Sequence, residues 1–267
     1  MTFGPARPEV GMIFPLRTDA PLYHYPIATV LLIAVCIVVH ALRWFFAIPV
    51  ETYALPLGNG LTPLQWITCN VIHLDITHLV GNLWFLWIFG IVVEGKVGFW
   101  RFILIVLSIG AGEACLEQLL YLNHPGTFSA GASVIIFGLM AIVLVWAPDN
   151  RFECIWIIYL AYHVEFEISH YTVAVIYFGI NLLDIIFSGF TVSSSLLHMG
   201  GVLIGLPIAV IMLYVGWVNC EGYDLFTRYG HLLNLPEAYL PSNFGGADED
   251  DDEMEDETKF TLGEELI

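Results

Sequence analysis

Four polar side chains stand where the sequence is otherwise strongly apolar: Ser133 in FSAGASVIIFGLM (Phe128–Met140), His78 and Asn82 in HLDITHLVGN, and His198 in HMGGVLIG. A serine hydroxyl is a weak nucleophile at neutral pH. An imidazole that takes its proton makes it competent, and the same imidazole can return the proton to a leaving amine. The tetrahedral intermediate of acyl transfer also needs donors for its oxyanion, which a side-chain amide, an imidazole N–H and a backbone N–H can supply. Ser133 with His198, and His78 with Asn82, have the residue types for those two tasks. His78 and Asn82 are four apart and share a helical face. No carboxylate is placed by spacing to orient His198, Asp184 included, so the expected constellation is a Ser–His dyad.

The elements that must hold these residues are membrane helices. The 267-residue chain is 58% hydrophobic, 14% aromatic and only 13% charged, with a mean hydropathy of +0.76, which excludes an ordinary soluble domain. Six runs approach the length needed to cross about 30 Å of hydrocarbon. They are Pro26–Ile48, His78–Val93, Phe99–Leu122, the shorter Gly131–Ala147, His170–Phe187 and Ser195–Trp217. The expected fold is therefore all-α, a polytopic six-helix membrane bundle over residues 26–217. It lies between an N-terminal segment (1–25) and a C-terminal segment (218–267). The first run is too long for a signal-peptide core and reads as a retained helix. The stretch RFECIWIIYLAYHVEFEI before the fifth run carries Glu153, Glu165 and Glu167 and reads as interfacial.

Lys and Arg collect on the cytoplasmic side. Arg7, Arg17, Lys96, Arg101, Arg151, Arg228 and Lys259 all fall in loops or tails of one side, whereas Arg43, at the far end of the first run, would snorkel. Both termini are thus expected in the cytoplasm, and the absence of a transit peptide suggests a bacterial cell membrane. Between Asp248 and Glu257 nine of ten residues are acidic. Such a self-repelling run reads as a disordered tail, placed at about 246–267, and it inflates the formal charge of −18. The five cysteines show no CxxC spacing and suggest buried thiols, neither a disulfide framework nor a metal ribbon.

This topology makes the second, fourth and sixth helices all enter from the outer face. His78 and Asn82, Ser133, and His198 then share one depth beneath it. Polar groups inside a bilayer cost several kcal/mol unless paired or wet, so their convergence is a functional signal. Gly201 and Gly205 lie three and seven positions after His198, on its face; Gly131 and Gly138 flank Ser133. Small residues at such spacing allow close helix crossing, which would bring Ser133 and His198 within hydrogen-bond reach. These four glycines read as packing residues, and His73 as a brace for the loop before the second helix or for the start of that helix. Glu94 is expected to order the loop that follows that helix.

With these motifs in order on helices two, four and six, the chain resembles the rhomboid intramembrane serine proteases from about Tyr25 to Trp217. The pieces that carry the resemblance are HLDITHLVGNLWFLWIFGIVVEGKVG, GASVIIFGLM and HMGGVLIG. The resemblance implies a six-helix bundle with a water-accessible cavity open to the outer face. It implies Ser133 as nucleophile, His198 as general base and acid, and His78 and Asn82 as oxyanion donors. Its partners would be transmembrane protein substrates and the lipid bilayer, with no nucleic acid, no metal and no organic cofactor. Substrate segments would be cut near their outer end, where a helix can unwind, because a peptide bond locked in a helix cannot be attacked. One departure is Val134 after the serine, where the family often has Gly. Two other classes compete: an inactive rhomboid-like protein that binds membrane clients, and a metal-site protein or transporter using His78, His198, Glu113 and Glu117.

Overall fold

The computed structural model describes residues 12–58, 60–122, 126–159, 162–189 and 193–233. The acidic run and the rest of the expected tail lie outside these residues. In chain order the elements are β1 (Met12–Thr18), α1 (Ile27–Phe45), β2 (Leu55–Pro56), α2 (Gln65–Thr68), α3 (Ile76–Val97), α4 (Phe99–Leu120), β3 (Phe128–Ser129), α5 (Ser133–Trp146), β4 (Arg151–Tyr159), β5 (Tyr162–Ser169), α6 (His170–Phe187), α7 (Ser194–Tyr214) and α8 (Leu225–Tyr229). Short 3-10 turns at Val50–Thr52, Cys69–Val71 and Gly230–Leu233 complete the set. The chain is mostly helical and is an integral, multi-pass membrane protein. Helices α1, α3, α4, α6 and α7 are long and apolar enough to cross a bilayer.

The fourth of the six expected runs is α5, which has 14 residues, about 21 Å at 1.5 Å per residue, short of a full span. Its burial accounts for the short length. All its residues except Ser133 and Leu144 are buried, so it is enclosed by protein and need not match the lipid. Helices α3, α4, α6 and α7 pack around it. By contrast α1 exposes Val30, Leu31, Val35, Val38 and Leu42, and α6 exposes Val175, Ile176, Ile180, Leu183 and Ile186. Those apolar outer faces suit hydrocarbon, not water.

Helix starts are fixed by local chemistry. The Asp75 carboxylate accepts from the backbone N–H of His78 at 2.8 Å, Ser169 Oγ accepts from Thr172 N–H at 3.2 Å, and Ser193 caps α7 through Leu196 N–H. These are the side-chain caps expected at a helix N-terminus. Helix α1 begins after Pro26 with no cap of its own. Glu94, fully buried near the end of α3, supplies one from across the bundle. Its two oxygens accept from Ala28 N–H, Thr29 N–H and Thr29 Oγ1–H, each at 2.7 Å. Glu94 thus orders the first helix and not, as the sequence suggested, the loop after its own. Glu94→Ala would leave two buried N–H groups without acceptors. We expect a loss of about 1–3 kcal/mol, read as a lower thermal transition in detergent, while Glu94→Gln, which keeps one acceptor oxygen, loses less.

The stretch read as interfacial is a β-hairpin. β4 and β5 pair antiparallel from Arg151↔Ser169 to Tyr159↔Tyr162, and β1 adds to the other edge of β4, with Arg17 opposite Glu153 and Thr18 opposite Phe152. Phe152 and Cys154 face the core, whereas Arg151 and Glu153 are exposed, the alternation a half-buried strand requires. Arg151 pairs with Glu167 across the strands at 2.8 Å, well exposed to solvent. The buried His170 ring ties this sheet to the bundle, with Nδ1 on the Ala147 carbonyl at 2.9 Å and Nε2 on Thr18 Oγ1 at 3.1 Å.

Candidate active site

Helices α5 and α7 meet backbone to backbone. A methyl group placed on Gly205 would lie 2.7 Å from the Cα of Gly138, and one on Gly201 would overlap the carbonyl oxygen of Val134. One placed on Gly138 would reach the carbonyl oxygen of Gly201 at 3.0 Å and the Ile109 side chain at 2.7 Å. Only residues without a side chain allow this approach. At the far end Trp146 Nε1–H donates to the Ala209 carbonyl at 3.0 Å, deep in the core. Val134 is itself buried, its Cγ1 directed at the space left by Gly201. The β-branched residue beside Ser133 is thus accommodated by the helix-helix contact.

The imidazole of His198 lies flat on the ring of Phe137, with centroids 4.3 Å apart and planes 10° from parallel. Phe137 is four residues after Ser133, one turn along the same face of α5. Ser133 opens α5 and is half-buried; no side chain caps this helix. On the other side of His198, its Nδ1 is 2.8 Å from Oδ1 of Asn181 on α6.

His78 and Asn82 approach the serine segment from α3. Gly131 has φ +122°, a conformation that side chains rarely adopt. Its Cα faces the His78 ring so closely that an added methyl would sit 2.7 Å from Cε1 and 2.8 Å from Nε2, and 3.2 Å from Asn82 Nδ2. The N–H of Gly131 donates to the Cys69 carbonyl at 2.9 Å, and β3 pairs with β2 through Leu55↔Ser129. Among the described residues, the buried atoms His78 Nδ1 and Asn82 Nδ2 have no hydrogen-bond partner. Buried polar atoms are seldom left so. His73 is fully buried, its ring edge-on to that of His78 with centroids 5.3 Å apart. Its own carbonyl accepts from Arg43 Nη2 at 2.8 Å. Burial, followed by the neighbouring His78, lowers the His73 pKa to about 4, so it braces the turn as a neutral ring.

The residues singled out in the sequence thus gather in one region: Gly131 beside His78 and Asn82, Phe137 of the serine helix beneath His198, and glycines 138, 201 and 205 at the crossing. Glu113 packs against Gly200 of α7, and Glu113 and Glu117 are both buried on α4. Among the described residues, no group of three or more His, Cys, Asp or Glu side chains is arranged to hold a metal ion.

Two residues escaped the sequence reading. Gln118 of α4 fastens the long loop before α3: its Oε1 accepts from Thr62 N–H at 3.0 Å and Trp66 Nε1–H at 2.6 Å, and its Nε2 donates to the Pro56 carbonyl and to Thr62 Oγ1, each at 2.8 Å. The other is Asn181, a polar side chain within a span. The rule that drew attention to Asn82 could have found it, whereas Asp184, considered in its place, is exposed.

A polytopic bundle whose short, enclosed serine-bearing helix crosses a histidine-bearing helix in backbone contact defines the class. The chain belongs to the rhomboid family: residues 62–215 match the model of the Rhomboid domain. It is 30% identical over 172 residues, 64% of this chain and 51% of the relative, to "RHOMBOID-like protein 6, mitochondrial" of Arabidopsis thaliana. It is 38% identical over 85 residues, 32% of this chain and 16% of the relative, to "Rhomboid protease GluP" of Bacillus subtilis (strain 168). A third relative, "Rhomboid-like protein 11, chloroplastic" of Arabidopsis thaliana, is 28% identical over 151 residues, 55% of this chain and 52% of the relative. The chain therefore spans about half or less of the length of these relatives. The organelles in two of their names differ from the bacterial membrane expected from sequence.

Proposed function

We propose that this protein is an intramembrane serine endopeptidase that cuts transmembrane segments of other membrane proteins near the outer face. The observation that carries the reading is the stacking of His198 on Phe137, one turn from Ser133, with His78 and Asn82 packed on Gly131 just before that serine. Membership of the rhomboid family, with a relative whose name is rhomboid protease, supports it.

In this mechanism Ser133 Oγ attacks the scissile carbonyl carbon while its proton passes to Nε2 of His198. The collapsing tetrahedral intermediate expels the amine, which takes that proton from the imidazolium. An acyl-enzyme ester on Ser133 remains. Water then attacks the ester with His198 again as base, releasing the acid and restoring the serine. In this reading the oxyanion receives hydrogen bonds from the Asn82 amide, from the His78 ring in the tautomer that carries the proton on the facing nitrogen, and from the N–H of Ser133 at the uncapped start of α5. The lack, among the described residues, of other partners for Asn82 Nδ2 and His78 Nδ1 supports it. No step calls on a metal or an organic cofactor.

The test is cleavage of a single-span reporter by purified protein in liposomes, with a chelator arm and Ser133→Ala in parallel. Cleavage that survives the chelator and vanishes in the variant is expected; a folded wild type that leaves several reporters intact would favour client binding without catalysis. Gly131→Ala gives a second, more local prediction. The new methyl would displace the His78 ring and strain a positive φ, and we expect kcat to fall about 10²–10³-fold, the usual effect of losing an oxyanion donor. Steady-state kinetics with a thermal melt checks that the fold survives.

A further inference from the structure

The charge-neutral partner of His198 is a feature that the dyad does not require. Asn181 is 7% exposed and reaches His198 across the α6–α7 interface, Oδ1 to Nδ1 at 2.8 Å. Which end of the amide faces the imidazole follows from its second bond. Its Nδ2 is 2.8 Å from the backbone carbonyl of Tyr177, one turn earlier in α6. A carbonyl oxygen can only accept, so the atom beside Tyr177 is the nitrogen and the atom beside His198 is the oxygen. The oxygen in turn can only accept, so Nδ1 of His198 carries the proton. In the neutral ring Nε2 then bears the free lone pair.

We propose that Asn181 is a positioning residue for the reaction, holding His198 in the tautomer and rotation in which Nε2 can accept the Ser133 proton. This rests on the protease reading above. Two contacts divide the labour of fixing the imidazole. Stacking on Phe137 at 4.3 Å sets the ring plane but is equally compatible with the ring flipped by 180° about its Cβ–Cγ bond, which exchanges Nδ1 with Cδ2. The hydrogen bond from Nδ1 selects one of these two orientations and, at the same time, the proton's location. In other serine proteases a buried partner on Nδ1 does this, and a partner that selects the wrong tautomer lowers kcat about 10⁴-fold with the geometry intact. An amide oxygen fills the place here without adding a charge inside the membrane, where an unpaired carboxylate is costly. A role as mere helix-to-helix adhesive, the usual duty of a buried Asn in a membrane bundle, would be indifferent to which imidazole nitrogen is protonated.

That indifference gives the test, using full-length protein in detergent with Asn181→Leu, which has a similar shape and no acceptor, and Asn181→Asp, which keeps the acceptor oxygen. ¹⁵N spectra of the histidine-labelled protein, with His198 assigned by its loss in His198→Ala, are expected to show Nδ1 as the proton-bearing nitrogen. In Asn181→Leu the two tautomers should mix. In reporter cleavage, Asn181→Leu is expected to lose about 10²–10³-fold in kcat with KM within about twofold, while Asn181→Asp stays within about tenfold of wild type. A wild-type His198 protonated on Nε2, or an Asn181→Leu protein with wild-type kcat, would overturn the proposal. So would a Leu and an Asp variant that lose activity and thermal stability in parallel, since that is the behaviour of a purely structural contact. If wild-type protein is inert while the spectra show the Nδ1–H form, the protease reading has failed and the tautomer assignment stands apart from it.

Discussion

Replacing either Ser133 or His198 with Ala is expected to reduce cleavage to background, a loss of at least about 10³-fold and up to about 10⁶-fold in kcat. The two variants should be nearly equal, and the double variant scarcely worse than either. A nucleophile and its base act as one unit, so removing the second costs little once the first is gone. Neither change should unfold the protein. Both side chains are half-buried, neither lies in the crossing formed by glycines 138, 201 and 205, and alanine is the best helix former. An equal thermal transition in wild type and variants would separate lost chemistry from lost structure. Ser133→Cys, which keeps a nucleophile of another size and acidity, belongs in the same series and is expected to retain at most a trace of activity.

The second large effect is structural. Gly205→Val should disrupt the contact between α5 and α7, because its Cβ would fall 2.7 Å from the Cα of Gly138. Backbone atoms inside a close-packed crossing cannot swing aside as a flexible side chain would. Overpacking of ordinary cores costs about 1–3 kcal/mol, and a helix-to-helix backbone clash belongs at or above the upper end. The helices can relieve it only by separating, which would also lift His198 from Phe137. Activity and stability should therefore fall together, unlike in Ser133→Ala. Gly112→Ala is the matched control: its Cβ would meet only Ile204 Cδ1 at 3.5 Å, an ordinary contact. The gain in helix propensity, about 1 kcal/mol at most, should leave that variant as stable as wild type or slightly more so. Thermal unfolding in one detergent, with reporter cleavage alongside, reads both effects.

The membrane helices were legible because each is a long apolar run, and Phe99–Leu120 and His170–Phe187 match their expected bounds to within two residues. The placing of His78 and Asn82 against Gly131, and of His198 against Phe137 of the helix that Ser133 opens, was foreshadowed by polar residues that a bilayer penalises, and the crossing by the glycine spacing. What escaped depended on partners distant in sequence. Glu94 caps the first turn of a helix through Ala28, 66 residues earlier, a pairing with no local pattern. The β4–β5 hairpin did carry a period-two signal in Arg151–Cys154, but Glu153, Glu165 and Glu167 marked the stretch as interfacial without assigning it a secondary structure, and the hairpin is compatible with that position. Pairing of β1 with β4 across some 140 residues leaves no trace in composition. Asn181 has no spacing link to His198, 17 residues away on the next helix, and the side chain that meets His198 is an uncharged amide and not a carboxylate.

The central claim is that Ser133 is an activated nucleophile, and the most direct measurement needs no knowledge of the substrate. Purified protein is treated with a fluorophosphonate that reacts with activated serines, and the adduct is located by mass spectrometry. Labelling of wild type at Ser133, absent in Ser133→Ala and reduced to a trace in His198→Ala, is the predicted result. A folded wild type that takes up no label, or a His198→Ala protein labelled at Ser133 as fast as wild type, would contradict the account.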